Sequence, residues 1–251
     1  MIGYTLSVVA FCALTLFWRT SRQSSSSPTR GISFISSVQL AVLAAWAMRL
    51  FYFIAKRDGS PHYQNAVKEQ VAKAQKMSLF VKGMVWASVS VLYCTMFAPA
   101  AIVALHKASD LNYGAMTIAV TGLMVQTLGF ILEMAADRQK SLFKRNHPNE
   151  CIRTGLFAIV RYPNYLGEIL VWLGSFICGT SCYHKIWQWI AALIGLACIT
   201  LIMIGSTKRL EAKQQERYSH CKSFQVWTST VPILVPFLPV YTLQSTRVYL
   251  E

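Results

Sequence analysis

The chain has 251 residues, 54% hydrophobic and only 14% charged, with a mean hydropathy of +0.40. Water-soluble domains carry close to a quarter charged residues, so a lone soluble enzyme is excluded. Seven cysteines with no Cys-x-x-Cys pair argue against a disulfide-knotted mini-protein and against a metal site. The net charge of +14 is divided into short stretches between apolar runs, which is the pattern of loops beside a bilayer and not of a nucleic-acid-binding face. The composition therefore predicts an all-α, polytopic integral membrane protein, a single domain over 1–251.

Runs of roughly 17 to 25 apolar residues can cross a hydrocarbon core about 30 Å thick. Six such runs predict membrane helices at Ile2 to Trp18, Ile32 to Ala55, Leu79 to Leu105, Tyr113 to Glu133, Tyr165 to Tyr183 and Ile186 to Gly205. The first lacks a basic start and a small-residue cleavage site, so it reads as a retained anchor. The tail from Val231 to Leu243 is apolar but short, and its three prolines place it at the interface, not across the membrane. Segments 56–82, 136–164 and 206–230 hold 6, 6 and 5 of the 24 Lys and Arg, whereas the alternate loops hold five. The positive-inside rule thus puts these basic loops and both termini in the cytosol.

The fourth span is expected to continue as a helix through Lys144 until Asn146, His147 and Pro148 stop it. At 100° per residue, Glu133, Asp137, Lys140 and Lys144 fall within about 60° of one another. Two readings fit this stripe. It is a solvated face with ion pairs, or it is a nucleotide surface on which Asp137 accepts from a ribose and Lys140, Lys144, Arg145 and Arg153 meet phosphate.

Next comes Arg161-Tyr162-Pro163-Asn164-Tyr165-Leu166-Gly167-Glu168, where a basic loop enters the fifth span. Pro163 suits a first helical turn. Asn164, Gly167 and Glu168 share a face, with Gly167 allowing a ligand close to the backbone. A carboxylate one turn into an apolar span is costly, so Glu168 needs a partner, for which Arg161 is available, or a function. After the sixth span, Glu211, Gln215 and Tyr218 share a helical face, as they would equally in an amphipathic helix on anionic headgroups. In the second span, Arg49 and Tyr52 lie on one face with Lys56, where snorkelling to the headgroups is the plainer account of Arg49.

Taken together, these stretches, with Arg153-Thr154-Gly155-Leu156-Phe157, Leu210-Glu211 and Trp227-Thr228-Ser229-Thr230-Val231-Pro232, resemble the steroid 5α-reductase C-terminal-domain superfamily in order and spacing over about 130–240. Upstream, Trp46 to Leu50 with Arg57 and Gly59 extends the likeness. The resemblance implies a membrane reductase of the endoplasmic reticulum that uses NADPH to reduce a carbon–carbon double bond conjugated to a ketone in a lipid from the bilayer. It implies cofactor contacts from Glu133, Asp137, Lys140, Lys144, Arg145, Arg153, Asn164, Glu168, Glu211 and Tyr218, with Glu168 and Tyr52 as the catalytic candidates. No metal is implied.

The chain departs from many relatives in reading Arg161-Tyr162-Pro163 for Arg-His-Pro. Isoprenylcysteine and phospholipid methyltransferases share the architecture, but they use Arg-His-Pro and a later Glu-Glu pair where this chain has Leu210-Glu211. An S-adenosylmethionine-dependent lipid methyltransferase is therefore the second reading, and a non-catalytic membrane protein that has lost the His is the third.

Overall fold

The computed structural model describes residues 2–22, 30–58, 71–72, 75–106 and 112–244, and among them all regular structure is helical. Seven α-helices follow in order: α1 (Ile2–Arg22), α2 (Arg30–Asp58), α3 (Leu79–Leu105), α4 (Tyr113–Asn146), α5 (Pro163–Thr180), α6 (Ile186–Tyr218) and α7 (Lys222–Thr230). All six expected runs are helical. Four helices are long and apolar enough to cross a membrane, over Phe34–Lys56, Leu79–Leu105, Tyr113–Asn146 and Ile186–Tyr218. α1 and α5 form where expected but are not among these four. In α5 the first turns carry Pro163, Asn164 and Glu168, which dilute its apolar character. The chain is an all-α, polytopic membrane protein. Arg57 and Gly59 fall in stretches whose side chains lie outside the described residues.

Local chemistry accounts for the helix ends. Ser78 caps α3 by accepting from the Val81 amide at 3.3 Å, and the Asn112 carboxamide accepts from Ala115 N at 2.8 Å at the head of α4. α4 runs through Lys144 to Asn146, as the sequence predicts, and α6 carries the sixth span and the charged stretch after it as one helix. The proline-rich tail from Val231 onward forms no helix.

The chain divides into two compact units. The first comprises 1–123 and 175–196, the second 124–174 and 197–251. In the first, α1 packs on α2 and α3. Trp46 is fully buried, its ring 5.7 Å from that of Tyr4, so it is a packing residue and not part of a ligand cage. The buried Gln39 amide donates to Ser175 Oγ at 3.3 Å and its carbonyl oxygen accepts from Cys178, which satisfies a polar group inside a span. α3 and α6 approach at Gly195, where an added Cβ would lie 2.5 Å from Thr95 O. That carbonyl is four residues before Pro99, which has no N–H to bond it.

In the second unit, α4 crosses α5 at two glycines. A Cβ on Gly129 would sit 2.6 Å from Val171 N, and one on Gly167 would sit 2.7 Å from Glu133 N. Gly167, expected to admit a ligand, instead admits the backbone of α4. The reason is the small-residue packing that membrane helices use to reach backbone contact. Between α4 and α5 the chain makes a single 3-10 turn, Gly155–Ala158. Gly155 has φ +62, and a Cβ there would meet Gln139 Nε2 at 1.7 Å. Gln139 clips this turn to α4, donating to Thr154 O at 3.3 Å and accepting from Leu156 N at 3.1 Å. Gly155→Ala therefore loses the clip and takes on left-handed strain; we expect a loss of about 1–3 kcal/mol, read as a fall in the thermal midpoint of the detergent-purified protein. An unchanged midpoint would contradict this account of the turn.

Candidate functional site: a basic cavity beside a buried ion pair

The second unit gathers the sequence motifs around Arg161. This residue is 2% exposed, and its Nη2 donates to Glu211 Oε1 at 3.0 Å and to the carbonyl of Tyr241. Its guanidinium lies between the rings of Trp227 at 5.9 Å and Tyr162 at 6.0 Å. The second Glu211 oxygen accepts from Leu243 N at 3.0 Å. Arg161 N donates to Pro232 O and Tyr162 N to Ile233 O, so the tail is laced onto the loop that starts α5. Trp227 Nε1 donates to Phe157 O at 2.8 Å. Four separated motif pieces are thus hydrogen-bonded into one body.

Glu211 was expected to face a cofactor, and Glu168 was the available partner of Arg161. The structure instead pairs Arg161 with Glu211. A carboxylate at 7% exposure requires a desolvated cation and donors for both oxygens, and Arg161 with Leu243 N supplies them. Tyr162 is buried and donates to Gln214 Oε1 at 2.9 Å. Burial pushes its phenol above the ordinary range, against the lowering effect of Arg161, so it stays a neutral structural donor.

Next to the ion pair, α4 and α6 enclose a cavity of about 240 Å³. Lys140 and Lys144 line it from α4, Lys213 and Arg217 from α6, each pair spaced i, i+4. Cys151, Ile152, Leu210, Gln214 and Tyr218 complete the wall, and none of the described lining residues is acidic. Lys144 donates to Tyr218 Oη at 2.9 Å and to the carbonyls of Pro148 and Glu150, so it fastens both the loop after α4 and the end of α6. This makes Lys144 a clamp as well as a charge. Burial raises the Cys151 thiol, although Lys144, Lys140, Arg153 and Arg161 all act to lower it; the thiol is therefore protonated and inert at neutral pH despite its basic surroundings.

Of the remaining expected residues, Glu133, Asp137 and Glu168 are buried at 3%, 6% and 8%, Asn164 and Arg153 are half-buried, and Arg145 is exposed and does not line the cavity. Asp137 precedes Lys140 by one turn, so the buried carboxylates and the cavity share one face of α4. Tyr52 belongs to the first unit, where it is 68% exposed, and Arg49 there lies 5.8 Å from the centre of the Phe53 ring.

Two groups escaped the sequence reading. Lys213 and Arg217 carry their own signal, an i, i+4 basic pair on the face of Leu210 and Gln214, whereas the face chosen instead contains Gln215, which is exposed. Gln126, two turns before Glu133, is fully buried, and neither atom of its amide has a hydrogen-bond partner among the described residues. Composition gives no hint of it, because one Gln in an apolar run looks like any other.

A family model described as "Protein of unknown function (DUF1295)" matches residues 4–231, nearly the whole chain. The chain belongs to this family. It is also similar to an uncharacterized protein of Schizosaccharomyces pombe, at 31% identity over 117 residues. That similarity covers 38% of this chain and 33% of the yeast protein, so the chain spans about a third of that relative's length. No solved structure matches the chain.

Proposed function

We propose that this DUF1295 protein is a membrane oxidoreductase of the steroid 5α-reductase type, which uses NADPH to reduce a carbon–carbon double bond conjugated to a ketone in a lipid. The observation that carries the reading is the basic cavity of α4 and α6, whose described lining includes Lys140, Lys144, Lys213 and Arg217. Cationic side chains converging from two helices are what charge-assisted contacts to a polyanion need. Its volume, about 240 Å³, suits phosphate groups rather than a whole dinucleotide, so it is the phosphate end of a longer site. Lys140, Lys213 and Arg217 would hold the phosphates, with Arg153 beside them, and Asp137 would meet the ribose.

NADPH, when bound, supplies the hydride. Asn164 and Glu168 at the head of α5 would orient its amide end, Glu168 being buried beside the crossing of α4 at Gly167. Gln126, whose buried amide is unpartnered among the described residues, is the polar group on α4 suited to a lipid carbonyl. In this reading the basic loops and both termini are cytosolic and the membrane is the endoplasmic reticulum.

The deciding experiment measures NADPH, NADH and S-adenosylmethionine binding to the purified full-length chain. Saturable NADPH binding tighter than NADH is expected. In sealed vesicles, NADPH must reach its site from the face at which Cys221 reacts with an impermeant maleimide. Binding of S-adenosylmethionine alone would replace this reading with methyl transfer, and binding of none of the three would leave a non-catalytic protein.

A further inference from the structure

The first unit holds a larger cavity, about 610 Å³, that no part of the cofactor reading uses. Cys94, Ala98, Ala101, Ile102 and Leu105 line it from α3, on one helical face, and Trp187 and Gln188 line it from the start of α6. Its origin is in the packing. α3 and α6 touch backbone to backbone at Thr95 and Gly195, and the small side chains of Ala98 and Ala101 leave space from there toward His106 and Trp187. From Cys94 to Leu105 the slot follows about 16 Å of helix axis at ~1.5 Å per residue. An apolar slot of that length suits an extended chain better than a compact ring system.

The far end is polar. His106, which ends α3, stacks on His184 before α6, with ring centroids 5.1 Å apart and planes at 25°. Gln188 is fixed at this rim, its Oε1 accepting from His184 N at 2.7 Å and Lys185 N at 2.8 Å. None of the described residues lining the cavity is acidic. His106 and His184 mark helix ends, and Trp187 and Trp189 stand in the first turn of α6, the arrangement of an interfacial aromatic belt. The apolar slot therefore lies at acyl-chain depth and the histidine rim at headgroup depth.

We propose that this cavity binds one single-chain amphipathic lipid with an anionic head, its chain along α3 and its carboxylate or phosphate at His106, His184 and Lys185. Two imidazoles and an ammonium are donors an anion uses and a neutral alcohol uses poorly. The site does not depend on the cofactor reading, and its test needs no turnover.

The full-length chain in neutral phosphatidylcholine nanodiscs is titrated with a dibrominated stearate, which quenches tryptophan on contact. Saturable quenching is expected, and it should be absent in Trp187→Phe. Stearate or lysophosphatidic acid should displace the probe at concentrations about ten-fold or more below stearyl alcohol, and which of the two does so identifies the head. Ala101→Phe fills the slot and should abolish the saturable component. His106→Gln with His184→Gln should bring the acid's affinity down toward that of the alcohol. Quenching that never saturates, or that persists in a folded Ala101→Phe protein, would overturn the site. Should Ala101→Phe fail to fold, equal displacement by acid and alcohol in the wild type would overturn it alone.

Discussion

Arg161→Met should cost the protein about 3–5 kcal/mol, because it leaves the Glu211 carboxylate buried with Leu243 N as its remaining donor. The thermal midpoint of the purified chain in detergent should fall steeply, and the tail should become open to proteolysis once the guanidinium no longer binds Tyr241 O. The informative comparison is the double variant Arg161→Met with Glu211→Leu. It removes both charges and keeps apolar volume between Trp227 and Tyr162, so most of the lost stability should return. A double variant no more stable than Arg161→Met would show that the two charges are not a unit.

The second large effect concerns binding. Lys213→Ala and Arg217→Ala, each alone, should weaken NADPH binding about ten- to a hundred-fold, or about 1.5–3 kcal/mol, by removing one charge-assisted contact to phosphate. Both residues are exposed, and Arg217 makes one exposed hydrogen bond, to Asn149 at 3.3 Å, so the thermal midpoint should move little. Lys144→Ala should behave differently, losing stability as well as affinity, since its ammonium ties α4 to Pro148, Glu150 and Tyr218. If the 2′-phosphate is read here, the preference over NADH shrinks in Lys213→Ala or Arg217→Ala. Unchanged affinity in both would remove the cavity from the cofactor site.

The motif residues divide into two groups once the contacts are known. Arg161, Glu211, Trp227 and Pro232 bond one another across the chain, which makes them architecture. Tyr162 belongs with them: its hydroxyl is taken by Gln214, and the ring stacks on Tyr165 at 6.0 Å. Glu133, Asp137 and Glu168, which are buried, the buried Gln126 and the cations that line the α4–α6 cavity form the second group.

The sequence by itself determined the helical class, the positions of the six apolar helices, the run of α4 to Asn146 and the non-helical tail. Each depends on apolar run length, caps and prolines, which act within a few residues of chain and need no partner. It also determined that Glu133, Asp137, Lys140 and Lys144 share a face, since helical register is a local property. Only the tertiary structure decided that Glu211, and not Glu168, neutralises Arg161. Fifty residues separate that pair, and desolvation selects a partner only when burial is known. The same holds for Gly167, whose missing side chain reads alike for a ligand and for a crossing helix until Glu133 N is found 2.7 Å from where a Cβ would stand. The cavity of Lys140, Lys213 and Arg217 likewise depends on the rotation of α6 against α4, which follows from packing across the second unit and leaves no mark in either helix alone.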